Sequence, residues 1–139
     1  MWICAYSLII ADKELAMQEF LRAMKALSDE TRLRIMYILL ERECCVCEVM
    51  QALDISQTRA SRNLGILYEA GFLKTRRDGP WIVYDMDWKT SNKSASSLIN
   101  LFKELPVSED LLVKDKERLK LAKRTGAACV TRNRGRQSE

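Results

Sequence analysis

The sequence predicts a mainly α-helical fold with one small β-hairpin, arranged as a winged helix-turn-helix. Two helical segments, 45–53 and 56–69, are separated by a turn of only a few residues. A hairpin signal over 72–87 follows directly, and basic side chains are concentrated on the second helix and on the hairpin. Two helices joined by a three- or four-residue turn and followed by a basic hairpin are typical of this fold.

The chain opens on an apolar stretch, residues 1–13, that we treat as an N-terminal extension. It has neither a basic start nor an A-x-A cleavage site, as a secretory signal would have. It is also shorter than the roughly 20 residues that span a bilayer. We expect a lead-in strand or a helix extension that covers a subunit interface.

Two helices are predicted to follow the extension. Residues 14–27 repeat apolar side chains at helical spacing, which indicates an amphipathic helix. In "LSDETRLRIMYILLER", Ser28 is the predicted N-cap, and Leu33 to Leu40 is apolar nearly all round. The second helix should therefore be central and buried.

The helix-turn-helix itself is predicted from two apolar stripes. The stripe of the short helix near Cys45–Leu53 consists of Val46, Val49, Met50 and Leu53. The buried face of the next helix consists of Ala60, Leu64, Leu67 and Tyr68. Ser56 is its predicted cap, and Gly71 ends it.

The remaining elements are a hairpin and two helices. In "FLKTRRDGPWIVYDMD", two strands flank Asp78-Gly79, although Pro80 weakens an ideal two-residue loop. One helix should begin at Ser91 or Asn92 and end before Pro106, and the last should run from Ser108 to about Arg124. The DNA-binding and dimerisation domain is thus placed at 14–124, and 125–139 is predicted to be a disordered tail.

Composition excludes several classes of protein. The chain has 139 residues, enough for one domain, and a net charge of +4. It contains no histidine, which removes Ser-His and Cys-His catalysis and imidazole metal ligands. With no phosphate-binding glycine motif either, we expect no enzyme. The five cysteines are not spread as in a secreted disulfide framework, so we expect a cytoplasmic protein.

A DNA-binding surface is predicted on the second helix of the helix-turn-helix and on the hairpin. On a helical wheel, the first two turns of 56–69 present donor side chains on the side opposite the buried face. Such donors can contact base edges and phosphates. The candidates are Gln57, Thr58, Arg59, Ser61, Arg62 and Asn63 on the helix, with Lys74, Arg76 and Arg77 on the wing.

The segment "ERECCVCEVM" places Cys44, Cys45 and Cys47 within four positions. On a helical wheel all three flank or oppose the apolar stripe, so packing alone does not explain them. A disulfide within the cluster is geometrically unfavourable. Soft thiolates select soft ions, which favours a metal or metalloid site. Cys45 and Cys47 would lie about 160° apart on a regular helix, so one ion could hold both only if the helix start unwound.

These segments resemble the ArsR/SmtB family of metal-responsive repressors. The resemblance covers roughly residues 20–87, through the motifs "ALSDETRLRI", "CVCEV", "SQTRASRNLGIL" and "GFLKTRRDGPWIVY". It implies a homodimeric winged helix whose first and late helices form the dimer interface. The dimer would bind double-stranded operator DNA, away from any membrane, until an inducer releases it.

The "CVC" motif is similar to the arsenic- and antimony-sensing branch, which often carries C-x-C-x-x-C. Here Cys45 and Cys47 match, but Met50 stands at the third position. The expected inducer is As(III) or Sb(III), and the third thiolate could come from Cys44, or from Cys4 or Cys129 in the tails. The alternatives are a Cd(II), Pb(II) or Zn(II) sensor using the same thiolates with Glu43 or Glu48, and a thiol redox-sensing repressor.

Overall fold

A computed structural model describes residues 2–105 and 109–125, with side chains for 7–105 and 110–125. Six helices and three short strands lie within these ranges. In chain order they are α1 (Trp2–Leu27), α2 (Glu30–Glu41), β1 (Cys44–Cys45), α3 (Val46–Leu53), α4 (Gln57–Glu69), β2 (Leu73–Asp78), β3 (Trp81–Met86), α5 (Lys93–Glu104) and α6 (Glu109–Leu121). In the described ranges, no helix has the length and apolar character needed to cross a membrane.

The N-terminal extension is helical and continuous with the first predicted helix. Together they form the 26-residue α1, which buries Ala23 and Ala26 in the core and leaves most of its other described side chains exposed. The predicted cap at Ser28 is wrong by one residue. Ser28 Oγ donates to the carbonyl of Met24, in the last turn of α1, at 2.7 Å. Asp29 caps α2 instead, by accepting from the N–H of Arg32.

The helix-turn-helix consists of α3 and α4. Asp54 has a left-handed backbone (φ 54°) that turns the chain, and Ser56 caps α4 as predicted by accepting from the N–H of Arg59 at 3.2 Å. The predicted buried residues Ala60, Leu64 and Leu67 are confirmed. Tyr68 is a correction, because it is 49% exposed. It lies about 80° from Ala60 around the helix, beyond the edge of the buried stripe.

The wing is a three-stranded antiparallel sheet with the order β1-β3-β2. Asp78 pairs with Trp81, so the hairpin loop has only two residues, Gly79 and Pro80. The loop tolerates Pro80 because Gly79, at the first central position, adopts a positive φ of 59°. The sequence did not predict β1, whose two cysteines pair with Tyr84 and Val83.

The C-terminal helices close the core. Asn92, one of the two predicted caps, begins α5 by accepting from the N–H of Ala95 at 3.1 Å. The last helix, α6, ends at Leu121, three residues earlier than predicted. The predicted breaks and cap at Pro106, Ser108 and Gly126 lie outside the described residues, as does the tail from 126 on. A buried ion pair between Arg34 of α2 and Asp115 of α6 joins these helices.

Candidate functional site

The outer surface of α4 carries most of the predicted DNA-binding side chains. Thr58, Arg59 and Arg62 are exposed, and Gln57 and Ser61 are half-buried, on the side away from the core. Ser56 caps the N-terminal end of α4, and the positive end of the helix dipole favours anions at this surface. The geometry is that of a basic helix face that can enter a DNA groove.

Asn63 is placed differently from its prediction. Its side chain is buried and used inside the protein: Nδ2 donates to the Arg59 carbonyl at 2.9 Å, and Oδ1 accepts from Arg32 at 3.1 Å. Asn63 therefore positions α4 on α2 and is not part of the outer face. A helical wheel cannot show this, because it represents one helix alone and not the neighbouring helix that covers a polar side chain.

A basic cleft of about 360 Å³ lies where the N-terminal ends of α2 and α4 meet. Arg59 crosses it and donates to the buried hydroxyl of Thr31 at 2.8 Å. Arg32, which sequence reasoning missed, donates to the last carbonyls of α1, including Ala26 at 2.6 Å. The lining residues are Asp29, Arg32, Ser56, Thr58, Arg59, Arg62 and Asn63.

The three basic residues of the wing are not equivalent. Lys74 and Arg77 are exposed, and in the described part of the chain neither takes part in an ion pair. Arg76 is bound through both Nε and a terminal nitrogen by the carboxylate of Glu43, and lies 3.8 Å from Asp78. Arg76 thus ties the wing to the residue that precedes the cysteine cluster, while Lys74 and Arg77 remain available for phosphates.

The three clustered cysteines are buried, which corrects the helical-wheel argument. Cys44, Cys45 and Cys47 are 0%, 2% and 4% exposed. The wheel treated all three as helical, but Cys44 and Cys45 form β1 and only Cys47 lies within α3. Pairing with β3 covers the first two, and Cys45 is the N-cap residue of α3.

Burial keeps the thiols of Cys44 and Cys45 protonated. Loss of solvation raises the pKa of Cys44 to about 12, and burial also raises the pKa of Cys45. Cys44 Sγ donates to the Arg42 carbonyl at 3.5 Å. A protonated, buried thiol is a poor nucleophile, so reaction with an electrophile or soft ion requires the segment to open.

The raised pKa of Cys44 predicts that the stability of the fold depends on pH. The pKa is higher in the folded than in the unfolded chain, where it is about 8.5. As the pH rises the unfolded chain loses this proton first, so stability that is intact below about pH 8.5 falls as the pH approaches 12. Urea unfolding of the reduced protein between pH 8.5 and 10.5 should show the beginning of this decline in the free energy of unfolding. The decline should be shallower in Cys44→Ala; parallel slopes would contradict it.

The donor set suits a soft ion, but the resting geometry does not yet form a site. Successive residues of a strand point to opposite faces, so Cys44 and Cys45 diverge. In 7–105 and 110–125, no three Cys, Asp or Glu side chains come together as metal ligands. An ion that takes thiolates from both sides of the β1–α3 junction must therefore rearrange it.

A buried carboxylate lies at this junction. Glu48 Oε1 accepts from the Cys45 N–H at 3.1 Å and from Arg124 Nε at 3.0 Å, and Arg42 binds the other oxygen. Burial works to raise the pKa of Glu48, but the bonds from Arg42, the Cys45 N–H and Arg124 outweigh it and keep the pKa below its usual value. Sequence reasoning missed this network. Its only local signal was the three-residue spacing of a capping box.

Comparison with known proteins places these features in a family. Residues 29–75 match the model of the bacterial regulatory protein, arsR family. Over 81 residues, the chain is 41% identical to a cadmium resistance transcriptional regulatory protein CadC homologue from Staphylococcus aureus, covering 55% of this chain and 67% of the relative. Over 61 residues it is 49% identical to the arsenic resistance transcriptional regulator ArsR1 from Pseudomonas putida, covering 43% and 48%.

A solved structure supports the same fold. The homodimeric winged helix-turn-helix DNA-binding domain of Mb0332 from Mycobacterium bovis superposes with a TM-score of 0.56 at 27% identity, covering 66% of this chain and 81% of that one. The chain spans about half to two thirds of the length of the two sequence relatives. The matched proteins are regulators of transcription and DNA-binding domains, not enzymes.

Proposed function

Because the chain belongs to the ArsR family of bacterial transcriptional regulators, we propose that it is a homodimeric repressor released from operator DNA by trivalent arsenic or antimony. The observation that carries this proposal is the cluster of three buried cysteines at the β1–α3 junction, next to the helix that supports α4. Such a repressor acts on DNA in the cytoplasm. The DNA, dimer and ion parts of the proposal rest on different surfaces and are tested separately.

The DNA-binding part rests on α4 and the wing. Thr58, Arg59 and Arg62 are exposed on the first turns of α4, where they would face base edges and phosphates, with Gln57 and Ser61 beside them. Lys74 and Arg77 on β2 would contact phosphates flanking the groove. In a symmetric dimer, two such helices would read half-sites one helical turn, about 34 Å, apart.

Arg62→Ala should weaken operator binding about 10-fold or more, as loss of a groove-facing arginine typically costs about 1–3 kcal/mol. Fluorescence anisotropy with the chain's own upstream promoter fragment, at fixed salt, measures the change. Lys93→Ala is the charge-matched control. Lys93 is exposed and adjoins Asn92, which contacts the opposite end of α4 at the Ala70 carbonyl. Equal losses in both variants would remove α4 from the DNA interface.

The dimer part rests on the exposed apolar side chains of α1. They recur at helical spacing through the second half of the helix, with Met17 at 65%, Phe20 at 47% and Met24 at 42% exposure. Exposed apolar stripes of this kind mark protein interfaces. The homodimeric Mb0332 domain supports a second copy of this chain as the partner.

Phe20→Asp should convert the dimer to a monomer at micromolar concentration, because a charge would be buried against the partner's apolar stripe. Sedimentation velocity measures the change, and Glu19→Gln on the same helix is the control. A wild-type chain that sediments as a monomer at that concentration would contradict the dimer.

The ion-binding part of the proposal rests on the positions of the three cysteines, which regular secondary structure keeps apart. Cys44 and Cys45 lie in a strand and Cys47 in a helix, so one pyramidal three-thiolate ion would have to break the start of α3. Because α3 packs on α4, this distortion would disturb the DNA-binding face. Ion and DNA would then oppose one another, with a coupling of roughly 1–3 kcal/mol.

The two alternatives have different support. The CadC homologue favours a divalent soft metal on the same thiolates. However, Glu43 and Glu48, the carboxylates that would help it, are already paired with Arg76, Arg42 and Arg124. A peroxide sensor requires a thiolate, and the raised pKa values of Cys44 and Cys45 disfavour one at these two positions.

The proposed function is tested by titrating a complex of the reduced protein and promoter DNA. Arsenite, Cd(II), Zn(II) and hydrogen peroxide are added in parallel, and release is followed by anisotropy. We expect release near one arsenite per subunit. Release by Cd(II) alone would assign the protein to the divalent branch, and release by peroxide alone would make it a redox regulator.

A further inference from the structure

After α6 ends at Leu121, the chain stays in contact with the rest of the fold. Residues 123–125 have no regular secondary structure and lie between α3 and the tip of the wing. We call this segment, Lys123–Thr125, the C-terminal clasp. Sequence reasoning placed Lys123 and Arg124 in the last turn of a helix, whereas the structure uses both to join other elements.

One side of the clasp is attached to α3. The Gln51 side chain forms a reciprocal pair with the backbone of Lys123: Oε1 accepts from the Lys123 N–H at 3.1 Å, and Nε2 donates to its carbonyl at 2.7 Å. Arg124 Nε then donates to the buried Glu48 carboxylate at 3.0 Å. Both contacts are on the helix that begins at the cysteine cluster.

The other side of the clasp is attached to the wing tip. Arg124 also donates to the Asp78 carboxylate at 2.6 Å, and its guanidinium lies 5.9 Å from the centre of the Trp81 ring. Trp81 Nε1 donates to the Thr125 carbonyl at 3.4 Å. Asp78 and Trp81 are the paired residues that close the hairpin loop. The clasp therefore holds the wing at the point where it turns.

We propose that the C-terminal clasp couples the cysteine segment to the wing, with Arg124 as its positioning residue. This inference rests on the proposed release by a soft ion and names a route by which release reaches the DNA surface. Arg124 bridges the carboxylate that fixes the start of α3 and the carboxylate at the wing tip. A change at either end is transmitted to the other through one guanidinium.

The chemistry of Glu48 makes the link sensitive to the cysteines. The same carboxylate accepts from the Cys45 N–H and from Arg124, and is almost fully buried. When Cys45 moves to bind an ion, its N–H leaves this carboxylate. A buried charge that loses a donor must move or recruit others, since it is costly to leave it underpaired. Either response displaces Arg124, and with it Asp78 and the wing tip.

The matched variants are Arg124→Gln and Lys123→Gln. Both remove one positive charge from adjacent positions, but the Lys123 side chain is exposed, and its role in the clasp comes from the backbone. Asp78→Asn breaks the link from the wing side and serves if Arg124→Gln folds poorly. Each is compared with the wild type by amide hydrogen exchange, by operator affinity, and by the ratio of affinities without and with arsenite.

We expect Arg124→Gln to speed exchange at the Cys45 amide and in β2–β3, to weaken operator binding about 3- to 10-fold, and to reduce the arsenite affinity ratio. Asp78→Asn should speed exchange at Cys45 as well, although it lies on another element. The double variant Arg124→Gln/Asp78→Asn should bind operator DNA no more weakly, and exchange no faster at Cys45, than Arg124→Gln alone, because both substitutions break the same link. Lys123→Gln should resemble the wild type in exchange.

Two results would overturn the clasp. One is Arg124→Gln matching Lys123→Gln in all three measurements, and the other is Asp78→Asn leaving exchange at Cys45 unchanged. Failure of the proposed function looks different. If arsenite does not release the wild type, but Asp78→Asn still speeds exchange at Cys45, the coupling stands and only the inducing ion is wrong.

Discussion

Cys45→Ser and Cys47→Ser should each bind operator DNA as the wild type does and remain bound when arsenite is added. Serine removes the soft ligand but nearly keeps the size of the side chain. The antagonism between ion and DNA, roughly 1–3 kcal/mol or 5- to 150-fold in affinity, should therefore disappear. Anisotropy of the reduced protein–DNA complex, with and without arsenite, measures the ratio directly.

The third ligand can be assigned in the same experiment. Cys44→Ser should share the defect if Cys44 completes the site, since it is the nearest remaining thiol in sequence. Cys4→Ser and Cys129→Ser are the matched substitutions in the tails; the side chain of Cys4 and all of Cys129 lie outside the described residues. Because all three clustered side chains are buried, a thermal melt accompanies each variant to show that the fold is retained. Normal release in Cys45→Ser and Cys47→Ser would refute the ion site.

Asp115→Ala should have the largest effect on stability, about 3 kcal/mol or more. The carboxylate is fully buried and binds Arg34 through both of its oxygens at 2.8 Å, and Arg118 at 2.8 Å. Those arginines also donate to the carbonyls of Leu53 and Ala52 at the end of α3. Removing one partner of a buried ion pair typically costs about 3–5 kcal/mol, because it leaves an uncompensated charge.

Urea unfolding at pH 7 tests this prediction against an exposed pair between the same helices. Lys116 and Glu41 also join α6 to α2, at 2.7 Å, but both side chains are about half exposed. Lys116→Ala should therefore cost less than about 1 kcal/mol. Similar losses of unfolding free energy in Asp115→Ala and Lys116→Ala would show that the buried ion pair contributes no more to stability than the exposed one.

Much of the secondary structure of this protein can be predicted from local patterns in the sequence. Apolar spacing, the Ser56 cap and the Asp78-Gly79 turn are properties of short segments, and each predicted its element within a few residues. The outward face of α4 followed for the same reason, since a helical wheel needs only the sequence and a period of 3.6 residues. The cysteine cluster was evident as a candidate site because its residues are adjacent in the chain.

What the local pattern missed depends on partners distant in sequence. Cys44 and Cys45 form a strand because β3, some forty residues later, pairs with them, so a wheel drawn through all three cysteines misjudged their burial. Asn63 is covered because Arg32 reaches it from another helix.

The sequence by itself thus determined the winged helix-turn-helix, its basic helix face and the presence of three cysteines at one junction. Only the tertiary structure decided that the three cysteines are buried, that the pKa of Cys44 is raised, that Arg76 is paired, and that Arg124 joins the junction to the wing. The physical reason is that periodicity and capping act within a few residues of chain. Burial, ion pairing and pKa depend on which distant segments pack together.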